Sequence, residues 1–220
     1  MRTLIKFSFV FVLLTMLASC KGDKSKAAKT GAAVDSKATP TAAAKSYSVA
    51  EGTITWTGTK VAYGHSGTVN VKSGTLSAEG SKIKSGDFII DMTSIKNTDL
   101  AGEPEKAAKL EGHLKADDFF DVATYPTAAF SVTSVKDLDI SKGDNNAEIT
   151  GNLRLKGIEK SITFPATVLA KADGSLTAIS DKFTINRTEW DIKFNSGLAG
   201  AVGDAIISDD ITLQINLTAK

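Results

Sequence analysis

The feature that most constrains the fold of this chain is a strict alternation of apolar and polar residues near its C-terminus. Ile211, Leu213, Ile215 and Leu217 occupy every second position, which places them on one face of an extended strand. A similar alternation recurs in residues 53–60, 67–78, 86–94, 127–135, 147–155, 161–170, 176–186 and 189–194. Many short antiparallel strands of this kind predict an all-β barrel or sandwich.

Two departures from the alternation carry further predictions. Gly74 and Gly151 interrupt strand patterns, which indicates bulges or a close approach of the backbone, as in a bent barrel wall. Residues 104–114 instead place Ala107, Leu110 and Leu114 at helical spacing after a proline. We expect one short helix here, covering an open end of the barrel or a sheet edge.

The N-terminus predicts export and a lipid anchor. Residues 1–19 combine a basic start with an apolar stretch too short to span a bilayer comfortably, as in a secretory signal peptide. The four residues that end at Cys20 resemble the bacterial lipobox, which implies cleavage before Cys20 and its lipidation. The alternative is a secreted protein whose signal happens to end in cysteine. A cytoplasmic protein with an apolar N-terminal helix is the least favoured alternative. The anchor would place the protein in the bacterial cell envelope, on the periplasmic face of the outer membrane or at the cell surface.

The remaining chain divides into a tether and one domain. Residues 20–45 comprise the lipidated cysteine and a segment rich in Ala, Lys, Ser and Thr without an aromatic residue, which predicts a flexible tether. Residues 46–220 are long enough for one domain with a substantial core. The 26 basic and 25 acidic residues balance, so nucleic acid is not an expected partner.

The segment from Leu110 to Phe130 is unusual because adjacent phenylalanines lie among acids. Burying Phe119 and Phe120 is worth roughly 1.5–3 kcal/mol each, whereas Asp117, Asp118 and Asp121 must stay hydrated or paired. We therefore expect the rings to face an apolar interior and the acids to face outward or accept hydrogen bonds.

This segment also resembles the signature of the YceI-like family of periplasmic polyisoprenoid-binding proteins, and the likeness runs from about residue 47 to the end of the chain. The matching motifs are residues 56–60, 65–67, 91–92, 110–120, 125–130, 151–157 and 186–190. The resemblance implies an extended, lipocalin-like antiparallel β-barrel of about eight strands with one short α-helix. It also implies a binding protein, not an enzyme, whose interior holds an isoprenoid lipid of polyprenyl or quinone type for storage, transport or sequestration.

On this interpretation a set of apolar residues lines the tunnel. These ligand-binding candidates are Trp56, Phe88, Ile90, Met92, Leu114, Phe119, Phe130, Leu153, Phe164, Phe183 and Trp190. The alternative for each of them is a place in a solid core, because alternation alone does not separate the two roles.

Three polar residues are candidates for a site at the tunnel: His113, Asp118 and Arg187. A buried pair of Arg187 with Asp91 would brace the barrel or orient a lipid head group, and bracing is the favoured role. No metal site or cofactor is expected, since the two histidines lie in no spaced ligand motif. A metal ion held by His113 and Asp118 is the less favoured alternative.

Two other functions stay open at this stage, and so does a homodimer. One is a structural or stress-related envelope lipoprotein with a protein partner. The other is an enzyme acting on a lipid or quinone, which would require His113, Asp118 and Arg187 to converge on the cavity.

Overall fold

The alternating segments form long antiparallel strands in the computed structural model, which describes residues 25–35 and 37–220. The elements in chain order are β1 Lys26–Ala27, β2 Lys29–Ala32, β3 Lys45–Lys60, β4 Gly64–Glu79, β5 Lys82–Asn97, α1 Pro104–Lys115, β6 Thr127–Asp137, β7 Ala147–Leu155, β8 Ile158–Ala170, β9 Leu176–Ser180, β10 Phe183–Asn186 and β11 Ile207–Ala219. Short 3-10 turns lie between some of them. Several strands are longer than predicted, most of all β3, which begins at Lys45 instead of residue 53.

Eight of these strands close into a barrel in the described part of the chain. β3 to β8 pair in succession, β9 pairs with β8, and β11 pairs with both β9 and β3. All of these pairings are antiparallel. The prediction of an all-β, lipocalin-like barrel with one helix is confirmed.

The glycines in the strands make room for inward aromatic rings. A Cβ built on Gly151 would lie 2.4 Å from Phe130 Cζ, and one on Gly74 would lie 2.6 Å from Phe88 Cδ1. The pairing register also shifts beside each position, between Val132 and Ser134 and between Val71 and Ser73. Both predicted effects, the bulge and the close approach, therefore occur at these bends in the wall.

The helix begins at Pro104, as predicted, and ends at Lys115. It follows β5, whose last residue Asn97 pairs with Gly67 near the start of β4. The helix is therefore attached at the end of the barrel where the turn between β3 and β4 lies. It covers that end, which is one of the two positions expected for it.

The described part of the segment predicted to be a flexible tether is bound to the barrel along much of its length. We call residues 25–35 and 37–44 the strap. β1 pairs in parallel with β10, and β2 pairs antiparallel with β8. The strap thus fills a seam between β8 and β10. The later residues of β8 pair with β9, whereas its earlier residues pair with β2, and β10 pairs with β1 on the other side of the seam.

Beyond β2 the strap crosses the outer surface of the barrel. Val34 donates its N–H to Asn152 Oδ1 (3.0 Å) and accepts from Asn152 Nδ2 (2.8 Å). Ala38 N–H donates to the carbonyl of Val132, and Lys37 Nζ lies 2.8 Å from Asp87 Oδ1. These pairings are made with residues far along the chain, which explains why local composition indicated only flexibility.

Two other predictions differ from the structure. The predicted strand 176–186 is two strands, β9 and β10, separated at Asp181 and Lys182. The predicted strand 189–194 is replaced by a 3-10 turn over Arg187–Trp190 and an irregular segment. Trp190 and Ile192 are nevertheless fully buried, and their spacing of two mimics a strand.

The predicted signal peptide and Cys20 lie outside the described residues. Among residues 25–35 and 37–220, no helix is long and apolar enough to cross a lipid bilayer.

Candidate functional site

Inward side chains leave two adjoining apolar cavities inside the barrel. The inner cavity has a volume of about 120 Å³, and its walls include Trp56, Ile90, Met92 and Phe119. The distal cavity has a volume of about 70 Å³ and lies among the rings of Phe88, Phe130 and Phe164. Ile54 and Ile90 line both cavities, so these two side chains form the partition between them.

A larger cleft of about 640 Å³ opens beside the inner cavity, and we call it the mouth. It lies between α1 and the turn that joins β3 to β4. Its remaining wall is formed by Phe194, in the connection between β10 and β11, and by Ile207, at the start of β11. Trp56, Leu114 and Phe119 line both the mouth and the inner cavity. An apolar route therefore leads from the mouth into the inner cavity and, across the partition formed by Ile54 and Ile90, toward the distal cavity.

Nine of the eleven apolar candidates line this route. They are Trp56, Ile90, Met92, Leu114, Phe119 and Leu153 at the inner cavity, and Phe88, Ile90, Phe130 and Phe164 at the distal cavity.

Phe183 and Trp190 are not among the residues that line the two cavities, and they lie in the packed core. Phe183 is stacked on Phe164 with ring centroids 4.6 Å apart. Trp190 is fully buried and donates from Nε1 to the carbonyl of Leu153 (3.2 Å).

The segment after α1 presents its aromatic residues to the inner cavity as expected. Phe119 is buried, Phe120 is half-buried, and both line that cavity, whereas Asp117 and Asp118 are exposed. Backbone hydrogen bonds from Asp121 and Val122 back to Ala116 and Lys115 fold this segment into a tight turn. The turn brings the two rings beneath the end of the helix.

Arg187 lies in the wall of the inner cavity and is completely buried. Its guanidinium donates to the carbonyls of Ser208 (3.0 Å), Ile192 (2.7 Å) and Ile207 (3.0 Å). Burial lowers the pKa of Arg187, while the charge of Asp209, 3.3 Å away, opposes that shift. The group keeps its charge because the pKa of arginine starts so high.

These contacts correct the predicted partner of Arg187 and agree with the bracing role. Its carboxylate partner is Asp209 instead of Asp91, whose own carboxylate accepts from Thr93 N (3.0 Å) and Oγ1 (2.6 Å). Alternation could not reveal Asp209, because β11 loses its regular pairing with β3 between Ile207 and Ile211. The contacts with the carbonyls of Ser208 and Ile207 tie the 3-10 turn after β10 to the start of β11, and the contact with Ile192 closes the segment after that turn.

The other two polar candidates lie at the surface. His113 Nε2 is 3.3 Å from Asp118 Oδ2, and the imidazole packs edge-on against Phe194 with centroids 4.5 Å apart. Phe119 contacts the ring of His113 on one side and the guanidinium of Arg187 on another. His113 lines the mouth, Arg187 lines the inner cavity, and Asp118 lines neither.

The three groups therefore do not converge on one point. Among the residues that the structure describes, no group of three or more His, Cys, Asp or Glu side chains could hold a metal ion.

A buried acid that the sequence reasoning missed fixes the helix over the mouth. Glu111 accepts from Asn97 N (2.9 Å) and from Lys96 Nζ (3.2 Å). Burial raises the pKa of Glu111, but these hydrogen bonds and the lysine charges outweigh it, so the pKa lies below its ordinary value. The available signal was a glutamate on the same helical face as Ala107 and Leu114.

Comparison with known proteins gives a family and a fold. A family model described as a YceI-like domain matches residues 46–219. Protein YceI of Escherichia coli O17:K52:H18 is 33% identical over 105 residues, which are 46% of this chain and 52% of that protein. A UPF0312 protein of Pseudomonas putida is 36% identical over 90 residues, covering 39% and 45% respectively. The chain thus spans about half the length of the curated relatives that it matches.

Two solved structures share the architecture. BcnA of Burkholderia cenocepacia superposes with a TM-score of 0.59 at 21% identity, covering 77% of this chain and 96% of that one. A polyisoprenoid binding domain from Saccharophagus degradans, implicated in plant cell wall breakdown, gives a TM-score of 0.55 at 15% identity, covering 79% and 97%. At these identities the likeness concerns the fold.

Proposed function

The chain belongs to the YceI-like family, and on that premise we propose that it holds the tail of an isoprenoid lipid, of polyprenyl or quinone type, inside its barrel. The observation that carries the proposal is the apolar route that leads from the mouth into the inner cavity, with only Ile54 and Ile90 between the inner cavity and the distal one. A prenyl chain is wholly apolar, and each methylene removed from water contributes about 0.8 kcal/mol. The solved Saccharophagus degradans relative is named a polyisoprenoid binding domain, which supports this class of ligand.

The cavity volumes limit how the tail enters. A cavity of about 150 Å³ accommodates a molecule the size of benzene, so the inner cavity of about 120 Å³ holds roughly one five-carbon unit. The distal cavity, at about 70 Å³, holds less than one unit. A longer tail therefore requires Ile54 and Ile90 to move apart, while the remaining units and the head group occupy the mouth.

A binding role agrees better with the polar groups than an enzymatic one. The guanidinium of Arg187 already donates to three backbone carbonyls and is ion-paired with Asp209. His113 and Asp118 lie at the surface and share no reaction centre with Arg187. We therefore propose storage, transport or sequestration of the lipid, and no chemical step.

We place the protein in the bacterial cell envelope, anchored through lipidated Cys20 to the outer membrane, on its periplasmic face or at the cell surface. The support for this placement is the signal-like segment 1–19 and the lipobox-like residues that end at Cys20. Mass spectrometry of the mature N-terminus tests it. Cleavage before Cys20 with acyl chains on that residue is expected, and an unmodified Cys20 would contradict the anchor.

Lipid binding is tested by organic extraction of the purified full-length protein and mass spectrometry of the extract. A stoichiometric polyprenyl compound is expected, or uptake of an added prenyl lipid if the host supplies none. The variant Ala128→Leu adds bulk inside the inner cavity, where Ala128 is buried, and should lower loading. Ala108→Leu adds the same atoms to an exposed position of α1 and should not.

A folded protein that carries no lipid and refuses added prenyl lipids would overturn the proposal. That result would favour the alternative of a structural envelope lipoprotein with a protein partner.

A further inference from the structure

A histidine on β4 faces the junction between the mouth and the inner cavity. Ile54, Trp56 and Gly58 alternate along the inward face of β3, and all three line the inner cavity. His65 pairs directly with Gly58, and residues paired in this way on antiparallel strands share a face of the sheet. The side chain of His65 is therefore aimed into the end of the barrel, where it lines the mouth.

Gly58 leaves open space beside this histidine. It lines both the mouth and the inner cavity, and a Cβ built on it would meet no heavy atom within 4 Å beyond its chain neighbours. Gly67 of β4 differs, because its added Cβ would lie 2.5 Å from Trp56 Cζ2. A ligand whose tail enters the inner cavity therefore has room to place its head group against His65.

The imidazole of His65 is held in one orientation. Its Nδ1 lies 2.8 Å from Asp99 Oδ2, and the ring packs edge-on against Tyr63 with centroids 5.4 Å apart. Asp99 is itself fixed, because its Oδ1 accepts from Ser66 N (2.7 Å) and from Asn97 Nδ2 (2.6 Å). The other ring nitrogen, Nε2, makes no hydrogen bond with any residue that the structure describes. The histidine thus keeps one nitrogen available to a ligand.

The contacts of Asp99 decide which nitrogen of the imidazole carries the proton. Burial raises the pKa of Asp99, but the hydrogen bonds that it accepts outweigh burial, so the pKa of this carboxyl lies below its ordinary value. An ionised carboxylate only accepts hydrogen bonds, so Nδ1 of His65 must be the donor. In the neutral imidazole Nε2 then carries no proton and is an acceptor.

Other polar side chains of the mouth are less suited to fixing a head group. Glu103 is ion-paired with Lys106, and Lys106 and Lys109 are exposed on α1. The ring of His113 is packed edge-on against Phe194. Only a group held by both strand register and a hydrogen bond has a defined position before the ligand arrives, and His65 meets both conditions.

An acceptor at this position distinguishes the two redox forms of a quinone-type head group. A hydroquinone carries hydroxyl groups that donate a hydrogen bond, whereas the oxidised quinone presents carbonyl oxygens, which only accept. Two acceptors that face each other form no hydrogen bond. A site built to pair with a hydroxyl therefore rejects the analogue that lacks it.

We propose that His65, positioned by Asp99, selects the reduced, hydroxyl-bearing form of a prenylated head group over the oxidised form. His65 Nε2 accepts the hydrogen bond from the ligand hydroxyl, and Asp99 acts through His65 by fixing its tautomer and orientation. The proposal rests on the lipid-binding function, because the tail must occupy the inner cavity for the head group to lie beside Gly58.

The test compares three ligands that share a two-unit prenyl tail, using the full-length protein freed of co-purified lipid. They are geranyl hydroquinone, geranyl benzoquinone and the dimethyl ether of the hydroquinone. Dissociation constants are measured by isothermal titration calorimetry under nitrogen at pH 8, where histidine is ordinarily neutral. We expect the hydroquinone to bind about tenfold more tightly than the other two, which is the effect of one hydrogen bond.

Two variants separate the acceptor from its tautomer. His65→Phe should reduce the affinity for the hydroquinone to that for the quinone. In Asp99→Asn, the donors Ser66 N and Asn97 Nδ2 require the amide oxygen. The amide nitrogen then donates to Nδ1 of His65, Nε2 carries the proton, and the preference should pass to the quinone. Asp91→Asn makes the same change at a carboxylate that lines none of the three cavities, and should keep the tenfold preference for the hydroquinone.

Four results would overturn the head-group site. They are equal affinity of the wild type for hydroquinone and quinone, a preference that survives in His65→Phe, a preference unchanged in Asp99→Asn, and a preference that is lost in His113→Phe instead. In each case the ligands still bind, so the proposed lipid-binding function stands. Binding of none of the three ligands would contradict that function and the head-group site with it.

Discussion

The partition between the two cavities provides a quantitative test of whether a tail passes through the barrel. Ile90 is only 4% exposed and lines both cavities. An Ile→Ala change in a core costs about 2–5 kcal/mol, and more where the surroundings cannot collapse. Because free space already lies on both sides of Ile90, we expect Ile90→Ala to lower the free energy of unfolding of the lipid-free protein by about 4 kcal/mol.

Bound lipid should return part of that loss. A tail that crosses the partition would occupy the space of the three deleted carbons, at about 0.8 kcal/mol each. The lipid should therefore stabilise the variant by about 2 kcal/mol more than the wild type, which corresponds to roughly 30-fold tighter binding. Urea denaturation of lipid-free and lipid-loaded protein measures both quantities.

Ile192→Ala is the matched control. Ile192 is fully buried but lines neither cavity, so its truncation should cost a similar amount with no gain in lipid affinity. Lipid affinity that is unchanged or weaker in Ile90→Ala, or equally raised in Ile192→Ala, would refute the passage of the tail between the two cavities.

Three further predictions follow from other contacts. Because the pKa of Glu111 is lowered from an ordinary value of 4.5, its carboxylate stabilises the fold above that pH and loses this effect on acidification. Glu111→Gln should cost about 1–2 kcal/mol at pH 7 in urea denaturation, and a deficit that grows below pH 4 would contradict the assignment. Gly151→Ala should lower the melting temperature, because the new Cβ has no space beside Phe130. Gly112→Ala is the control: no atom lies within 4 Å of its new Cβ, so it should raise the melting temperature through the higher helix propensity of alanine. Equal shifts would refute the close-approach argument. Asn152 makes two hydrogen bonds with Val34, so Asn152→Ala should lower the free energy of opening the strap by about 2 kcal/mol and accelerate its cleavage by trypsin about 30-fold. Asn145 donates to Asp181 at the opposite end of the barrel, and Asn145→Ala should leave that cleavage rate unchanged.

The barrel was predictable because its strands obey a local rule. A period of two, as in β11, follows directly from one buried face, and the helix after Pro104 obeys the equally local period of 3.6. The rule misled at Trp190 and Ile192, where two buried residues two positions apart lie in and after a 3-10 turn. Burial was predicted correctly there, but the backbone conformation was not.

The polar part of the site was less predictable because it depends on which distant residues meet. The sequence favours a bracing role for Arg187 with Asp91 as its partner, whereas the structure pairs Arg187 with Asp209. Asp91 lies within β5 and Asp209 near the start of β11, and the pairing of β10 with β11 places Asp209 beside Arg187. Whether Phe183 would line a cavity or pack behind it likewise depended on its stacking on Phe164.

The seam filled by the strap has a consequence for the order in which the molecule assembles. β1 and β2 stand near the start of the chain, but their partners β10 and β8 are among the last elements to be synthesised. Contacts between such distant parts of a chain carry the largest loop-closure cost and form late. β1 and β2 are thus synthesised early and take their places in the sheet late. In a pulsed amide-exchange experiment during refolding, the amides of Lys29–Ala32 should become protected only after those of β8. Their protection therefore reports the moment at which the seam in the barrel wall closes.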